Sequence, residues 1–271
     1  MEKLAKLAKK HNLWFIEDSC DTLGGTYRKR PTGTYSHIST TSFYGSHIIN
    51  GAGGGGMICV NDPKWADRLL ILRGWGRQSS LFGDTGHSAL FGNRFKEKRV
   101  KEKLAGIPYD KKFIFSEIGY NFLPLELSAA FALAQLKKFP NFAAARKKNF
   151  AALYKFFGTY SRYFTLPSQT PHTETVWLAF PLIIKKDSPF TRLDLVTFLE
   201  NNHIQTRPVF TGNIIKQPGY NNVPHRLAQK NYPHAEHIMR NAFVVGSHHG
   251  LDQKQIAYLC AKFVEFLSHY E

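Results

Sequence analysis

Three short runs near the start of the chain constrain its fold most: "LWFIED" (13–18), "STTSFY" (39–44) and "GMICVND" (56–62). Each is apolar, aromatic or β-branched, and each is too short for a stable helix. The third leads straight into a helix. Asp62 can cap it, Pro63 suits its first turn, and "PKWADRLLILR" carries it to about Arg73. Another helix is predicted over 2–11, with Leu4, Leu7 and Ala8 on one face. Strands separated by helices and loops imply an α/β sheet. In open α/β sheets, sites lie beyond the carboxyl ends of the strands. Asp18 and His47 both fall at such ends.

Residues 76–118 show little periodicity and read as one long loop, of a kind that is usually functional or disordered. "LPLELSAAFALAQLKKF" (123–139) predicts a helix, Pro140 is expected to interrupt it, and "NFAAARKKNFAALYKFFG" (141–158) predicts a second. Beyond about 165 the pattern becomes α+β. Strands are expected over 176–184, 204–210 and 242–246, and helices over 191–202, 234–241 and 252–268. This places a domain boundary near 140, between 1–139 and 140–271.

The composition, 43% hydrophobic with no apolar run of about 20 residues, is that of a globular chain and not of a helical membrane span. The start, "MEKLAKLAKK", lacks the apolar core of a signal peptide. Cys20, Cys59 and Cys260 form no CxxC pair and no disulfide framework, which fits a reducing cytoplasm. The formal charge of +16 suits anionic partners such as phosphorylated small molecules. No nucleic-acid-binding motif accompanies it, and the basic residues are dispersed, so a solvated basic surface is the plainer reading.

Asp18, at the tip of an apolar strand, needs a positive partner or local N–H donors. It can be a loop or capping acid, or it can hold a protonated pyridine nitrogen. His47 can exchange a proton near neutral pH or serve as a structural histidine. Gly51 and Gly53–Gly56 follow it. They do not form a Walker A loop, lacking Lys-Ser/Thr, nor a G-x-G-x-x-G turn opening a helix. They can be a pliant connector or a place where backbone approaches a ligand. His234-x-x-His237 and His248-His249 have no Cys or Glu to complete a metal ligand set.

In sequence order, "IEDSCDTLGGTY", "TTSFYGSH", "GGGMICVNDPKWADRLLILRGWGR", "EIGYNFLPLELSAAFALAQLKKF", "IQTRPVFTGNIIKQPGY" and "GSHHGLDQKQIAYL" resemble the DegT/DnrJ/EryC1/StrS sugar aminotransferases along essentially the whole chain. The resemblance implies an aspartate aminotransferase-like α/β fold (PLP fold type I), with an incomplete large domain over 1–139 and a small α+β domain over 140–271. It also implies a pyridoxal or pyridoxamine 5'-phosphate cofactor and a homodimer with shared active sites. Where most of the family has a Schiff-base lysine, this chain has His47, as in the nucleotide-diphospho-4-keto-6-deoxysugar 3-dehydratases. Their cofactor works as untethered pyridoxamine phosphate, and the histidine acts as base. Asp18 matches the acid on the pyridine nitrogen, and Asp21 a polar group near the ring hydroxyl. Ser42 matches a phosphate-binding serine, and Asn121 an asparagine reaching the neighbouring subunit's cofactor phosphate. Arg207 and Asn213 resemble a segment that closes over the substrate, with a salt-bridged arginine and a turn asparagine as the structural alternative.

Three departures stand out. Cys20 matches one ligand of the iron–sulfur cluster that some of these dehydratases carry, but "WGRQSSLFGDTGHS" holds no further cysteine, so no cluster is expected. "GYNF" lacks an arginine frequent in the aminotransferases. The family's first strands and phosphate-anchoring helix precede the Asp18 strand and are not in this sequence. From that we expect an exposed apolar edge and weak or absent activity for this chain alone. An ordinary sugar aminotransferase and a non-catalytic partner of a longer homologue are the competing readings.

Overall fold

The computed structural model describes residues 1–82 and 102–271. Residues 83–101, part of the long stretch 76–118, lie outside the described residues. The chain divides into two compact units: Met1–Cys20 with Gly33–Ala134, and Asp21–Thr32 with Gln135–Glu271.

The first unit opens with α1 (Glu2–Lys10), which buries Ala8 but leaves Leu4 and Leu7 half exposed. Its sheet has three strands, in the order β1 (Ile16–Asp18), β2 (Ile38–Ser42), β3 (Gly56–Val60). β1 and β2 are parallel, with Asp18 opposite Thr40, and β2 and β3 are antiparallel, with Ser42 opposite Gly56. Asp18, Ser42 and Gly56 therefore share one edge of the sheet. The strands are shorter than the sequence runs, because Leu13 and Trp14 lie outside the ladder and pairing stops at Ser42 and Val60. α2 (Pro63–Arg73) starts as expected, with Asp62 accepting from the Lys64 N–H at 2.8 Å.

After α2 the backbone is laced to a later segment. The Trp75 N–H donates to the Tyr120 carbonyl at 2.8 Å, and the Tyr120 N–H to the Leu72 carbonyl at 2.7 Å. Gly76 has φ +80°, and a side chain there would strike the Glu117 carbonyl. Residues 102–118 are not all loop. β4 (Glu102–Leu104) and β5 (Ile107–Tyr109) form a hairpin, turned by Ala105 and Gly106 at φ +50° and +82°. Ala-Gly is a weaker hairpin signal than Asn-Gly, and the strands are three residues long.

α3 (Glu126–Gly158) runs unbroken through Pro140. The expected interruption does not occur. Proline removes one N–H and crowds one turn, and the alanine-, leucine- and lysine-rich flanks on both sides sustain the helix.

The second unit is built on a four-stranded antiparallel sheet. Its strands are β6 (Phe164–Thr165), β7 (Phe180–Ile184), β8 (Thr206–Pro208) and β9 (Ala242–Val245), in the order β8-β9-β7-β6. Along β7, Phe180, Leu182 and Ile184 alternate into the core. They meet Leu153 and Phe157 of α3, Leu195 and Leu199 of α4 (Arg192–Asn201), and Phe263 and Leu267 of α6 (Gln253–Leu267). α4 and α6 both begin with complete capping boxes, Thr191/Asp194 and Asp252/Gln255. α5 (Pro233–Asn241) leads directly into β9. A small sheet pairs Thr26–Tyr27 with Arg30–Pro31 and Thr173–Glu174.

The units differ in how well they bury apolar groups. Phe157, Phe164, Phe180, Phe243 and Phe263 are wholly enclosed in the second. In the first, Trp14, Ile16 and Ile58 are 68%, 59% and 51% exposed around the sheet, a large apolar exposure for a folded surface. No described helix is long and apolar enough to cross a membrane.

Candidate functional site

The shared edge of the first unit's sheet gathers three of the residues singled out by sequence. Asp18 ends β1 with its carboxylate exposed to solvent. Its Oδ1 accepts from the Cys20 N–H at 3.1 Å and from the Thr40 hydroxyl at 3.4 Å. Hydrogen bonds from Cys20, the thiol first and then the N–H, hold the carboxyl below its usual range, and Thr40 adds to them against a small desolvation. The group is thus a fixed, accessible anion at neutral pH. Ser42 ends β2, and its Oγ accepts from the Tyr44 N–H at 3.1 Å, which orients the hydroxyl.

His47 stands on the loop between β2 and β3. Its N–H closes a turn on the Tyr44 carbonyl at 3.0 Å, and its half-buried imidazole lies edge-on to the Tyr44 ring at 5.8 Å. Ile48 and Ile49, each 2% exposed, anchor the turn from beneath. The glycines then return the chain. The Phe43 N–H donates to the Gly55 carbonyl at 2.9 Å, and the Gly51 N–H to the Phe43 carbonyl at 2.8 Å. Gly53 and Gly55 adopt φ of +112° and +114°, a region closed to other residues without strain. The run therefore closes the base of the loop that carries His47.

Asn121 sits elsewhere in this unit, exposed and bridged to Gly74 within the laced segment. Tyr120 and Phe122 flank it with rings stacked at 5.0 Å. Beside the lace, Arg73, Trp75, Arg77 and Lys112 line a pocket of about 560 Å³. The Arg77 guanidinium lies over the Trp75 ring at 4.7 Å.

Asp21, Arg207 and Asn213 belong to the second unit. Arg207 is exposed, donates to the Thr206 carbonyl at 2.6 Å, and lines a pocket of about 720 Å³. Asn213 is 5% exposed at the head of the 3₁₀ turn Ile214–Lys216 and is not among the residues lining that pocket. The other basic residues of the pocket, Arg192, Lys216 and Arg240, escaped sequence reading, because they come from three separate segments and share no motif.

An accessible carboxylate that stays ionised, a hydroxyl and an imidazole at one sheet edge suit a phosphorylated pyridine cofactor: the anion for a protonated ring nitrogen, the hydroxyl for a phosphate, the imidazole for proton transfer. The fold is an α/β fold of the aspartate aminotransferase type. Residues 1–264 match the DegT/DnrJ/EryC1/StrS aminotransferase family, and the chain belongs to it.

Among its relatives is the dTDP-4-dehydro-2,6-dideoxy-D-glucose 3-dehydratase of Saccharopolyspora spinosa, 35% identical over 98% of this chain and 56% of the relative. Another is the lipopolysaccharide biosynthesis protein RfbH of Salmonella typhimurium, 34% identical over 98% of this chain and 59% of the relative. Among solved structures, the E. coli GDP-4-keto-6-deoxy-D-mannose-3-dehydratase with bound hydrated PLP superimposes with a TM-score of 0.79 at 29% identity. The match covers 96% of this chain and 63% of that one. The chain thus spans less than two thirds of the length of these relatives.

Proposed function

We propose that this chain carries the catalytic edge of a nucleotide-diphospho-4-keto-6-deoxyhexose 3-dehydratase of dideoxysugar and surface-polysaccharide biosynthesis. The observation that supports it best is a histidine, and not a lysine, on the glycine-closed loop that follows β2. Pyridoxamine phosphate, when bound, would supply an amine for the sugar's 4-keto carbon and a ring that takes up the electron pair freed at C4′ and returns it as the C3 hydroxyl leaves. Asp18, anionic through its Cys20 and Thr40 hydrogen bonds, keeps the pyridine nitrogen protonated. His47 takes the proton from the cofactor's C4′ as general base. Ser42 and Asn121 hold phosphate oxygens, Asn121 that of the neighbouring subunit in a homodimer, and Asp21 meets the ring hydroxyl. Arg207 and Asn213 contact the sugar nucleotide.

The three cysteines are free, which suits a cytoplasmic enzyme. The 271-residue chain alone is expected to be weakly active or inactive, in keeping with the apolar residues left exposed around its first sheet. The test is a titration with pyridoxamine and pyridoxal phosphate followed by absorbance, then borohydride reduction, then incubation with CDP-, GDP- and dTDP-4-keto-6-deoxyhexoses. Cofactor uptake weakened by Asp18→Ala, no cofactor fixed to the chain, and a 3-deoxy product lost in His47→Ala support the reading. Cofactor fixed covalently to a lysine would favour an aminotransferase. Tight stoichiometric uptake with full turnover would remove the expectation of weak activity.

A further inference from the structure

Arg146, on α3 in the second unit, is the only buried arginine or lysine among the described residues, at 2% exposure. Its Nη1 donates to the Trp177 and Leu178 carbonyls at 3.2 and 2.9 Å. Its Nε is buried and has no hydrogen-bond partner among the described residues. No described carboxylate acts on it. Burial alone pushes its pKa down, to about 10, so the guanidinium is still charged at neutral pH. A buried cation held only by neutral groups is costly unless a counter-charge joins it.

Phe142, Arg146 and Asn149 stand at i, i+4 and i+7 along α3 and so share one face. The loop from Ser247 to Leu251 lies along that face. Asn149 donates to the His248 and Leu251 carbonyls, each at 3.0 Å, and the His249 ring stacks on Phe142 at 3.8 Å. Arg146 is held between these two ties. Burial first, and then the Arg146 charge, lower the pKa of both imidazoles. Ser247 is 0% exposed, and its Oγ has no partner among the described residues; the same is true of the buried Nδ1 of His249. The β7–β9 ladder ends with Phe180 opposite Val245. Two residues beyond that pair, one on each strand, stand Ser247 and Leu178, whose carbonyl takes the shorter Arg146 bond.

We propose that Arg146, Ser247 and His249 form a buried site for one small monovalent anion, with chloride the simplest occupant. Each of the three can donate: the guanidinium Nε–H with its charge, the serine hydroxyl, and the imidazole Nδ1–H. A water molecule would meet the hydrogen bonds but leave the charge unmatched. The loop is tight, since a side chain at Gly250 would come within 3.1 Å of the His248 ring, which favours a compact ion over a phosphate ester. The anion fastens the loop before α6 to α3. None of these residues belongs to the sheet edge that carries Asp18, so the site does not rest on the dehydratase reading.

The test is a chloride titration of the 271-residue chain, without cofactor, in gluconate buffer at constant ionic strength. Chloride nuclear relaxation should contain a saturable part, and the thermal midpoint should rise over the same range. The His249 ring signals should move with it, and those of exposed His11 should not. Ser247→Ala removes one donor and little volume, and should weaken binding about tenfold. Arg146→Met should abolish it. Where Arg146→Met does not fold, Ser247→Ala and crystals grown in bromide decide, with an anomalous peak expected beside the Arg146 Nε. A response that rises without saturation, as on a solvated basic surface, would overturn the site. So would unchanged affinity in Ser247→Ala, or bromide found only on surface lysines and arginines.

Discussion

Asn149 offers a sharp test of the polar packing that ties α3 to the turn before α6. It is 1% exposed. Its Nδ2 donates to the His248 and Leu251 carbonyls, each at 3.0 Å, and its Oδ1 accepts from Gln253 at 3.1 Å. Asn149→Asp keeps shape and volume but replaces the two-proton donor by an oxygen facing two carbonyl oxygens. Two hydrogen bonds of about 1 kcal/mol each are lost, and a charge is left buried against acceptors, for a total of about 3–5 kcal/mol near neutral pH. Protonation restores one donor and brings the penalty down to about 1–2 kcal/mol.

The sign of the pH effect follows. The fold disfavours this carboxylate, so its folded pKa is raised above the unfolded value of about 3.9. The folded variant then takes up its proton first. Its stability relative to wild type should rise as pH falls through the folded pKa and level off below the unfolded one. Urea unfolding followed by far-UV circular dichroism, on both proteins from about pH 8 to pH 5, measures it, and Asn149→Leu serves as a control whose penalty does not vary with pH. A penalty for Asn149→Asp under about 0.5 kcal/mol, or one equal at every pH, would refute the reasoning.

Three further outcomes are expected. Phe157, wholly buried with ring contacts to Phe164, Phe180 and Phe263, should lose about 3–5 kcal/mol on Phe157→Ala and much less on Phe157→Leu, read from urea midpoints at constant slope. Gly53→Ala meets no neighbour but must hold φ near +112°, which costs about 1–3 kcal/mol; Gly54→Ala, equally open and without a positive φ, should be near neutral in a thermal melt. Desolvation, and then the Arg146 charge, lower the pKa of His248 and His249 below 6.5. Their contribution to stability should be full above about pH 6.5 and fall away on acidification below it, and the His248→Asn/His249→Asn double variant should flatten that part of the curve.

Much of the architecture was legible because local chemistry agrees with the fold. Asp62-Pro63 starts α2, Thr191 and Asp252 start α4 and α6, and the alternating Phe180, Leu182 and Ile184 make a strand with one buried face. Asp18, Ser42 and His47 could be singled out since each ends or follows a short strand, and the order of motifs carried the family resemblance. Pro140 misled, because a helix tolerates one lost N–H when both flanks favour it. The β4–β5 hairpin was missed because its turn, Ala-Gly, carries a weak signal.

What the sequence by itself determined is the periodic and capped elements, the family, and the residue types at the sheet edge. Only the tertiary structure decided which charges come together. Arg192, Arg207, Lys216 and Arg240 are dispersed along the chain, and their shared pocket, with a single acid between two of them, depends on strand order and helix placement. The same holds for the glycines after His47. Their composition permits any loop, but the pairing of Phe43 with Gly51 and Gly55 makes them the closed base of the loop that carries the histidine. Long-range pairing sets these relations, and no local pattern in the chain encodes them.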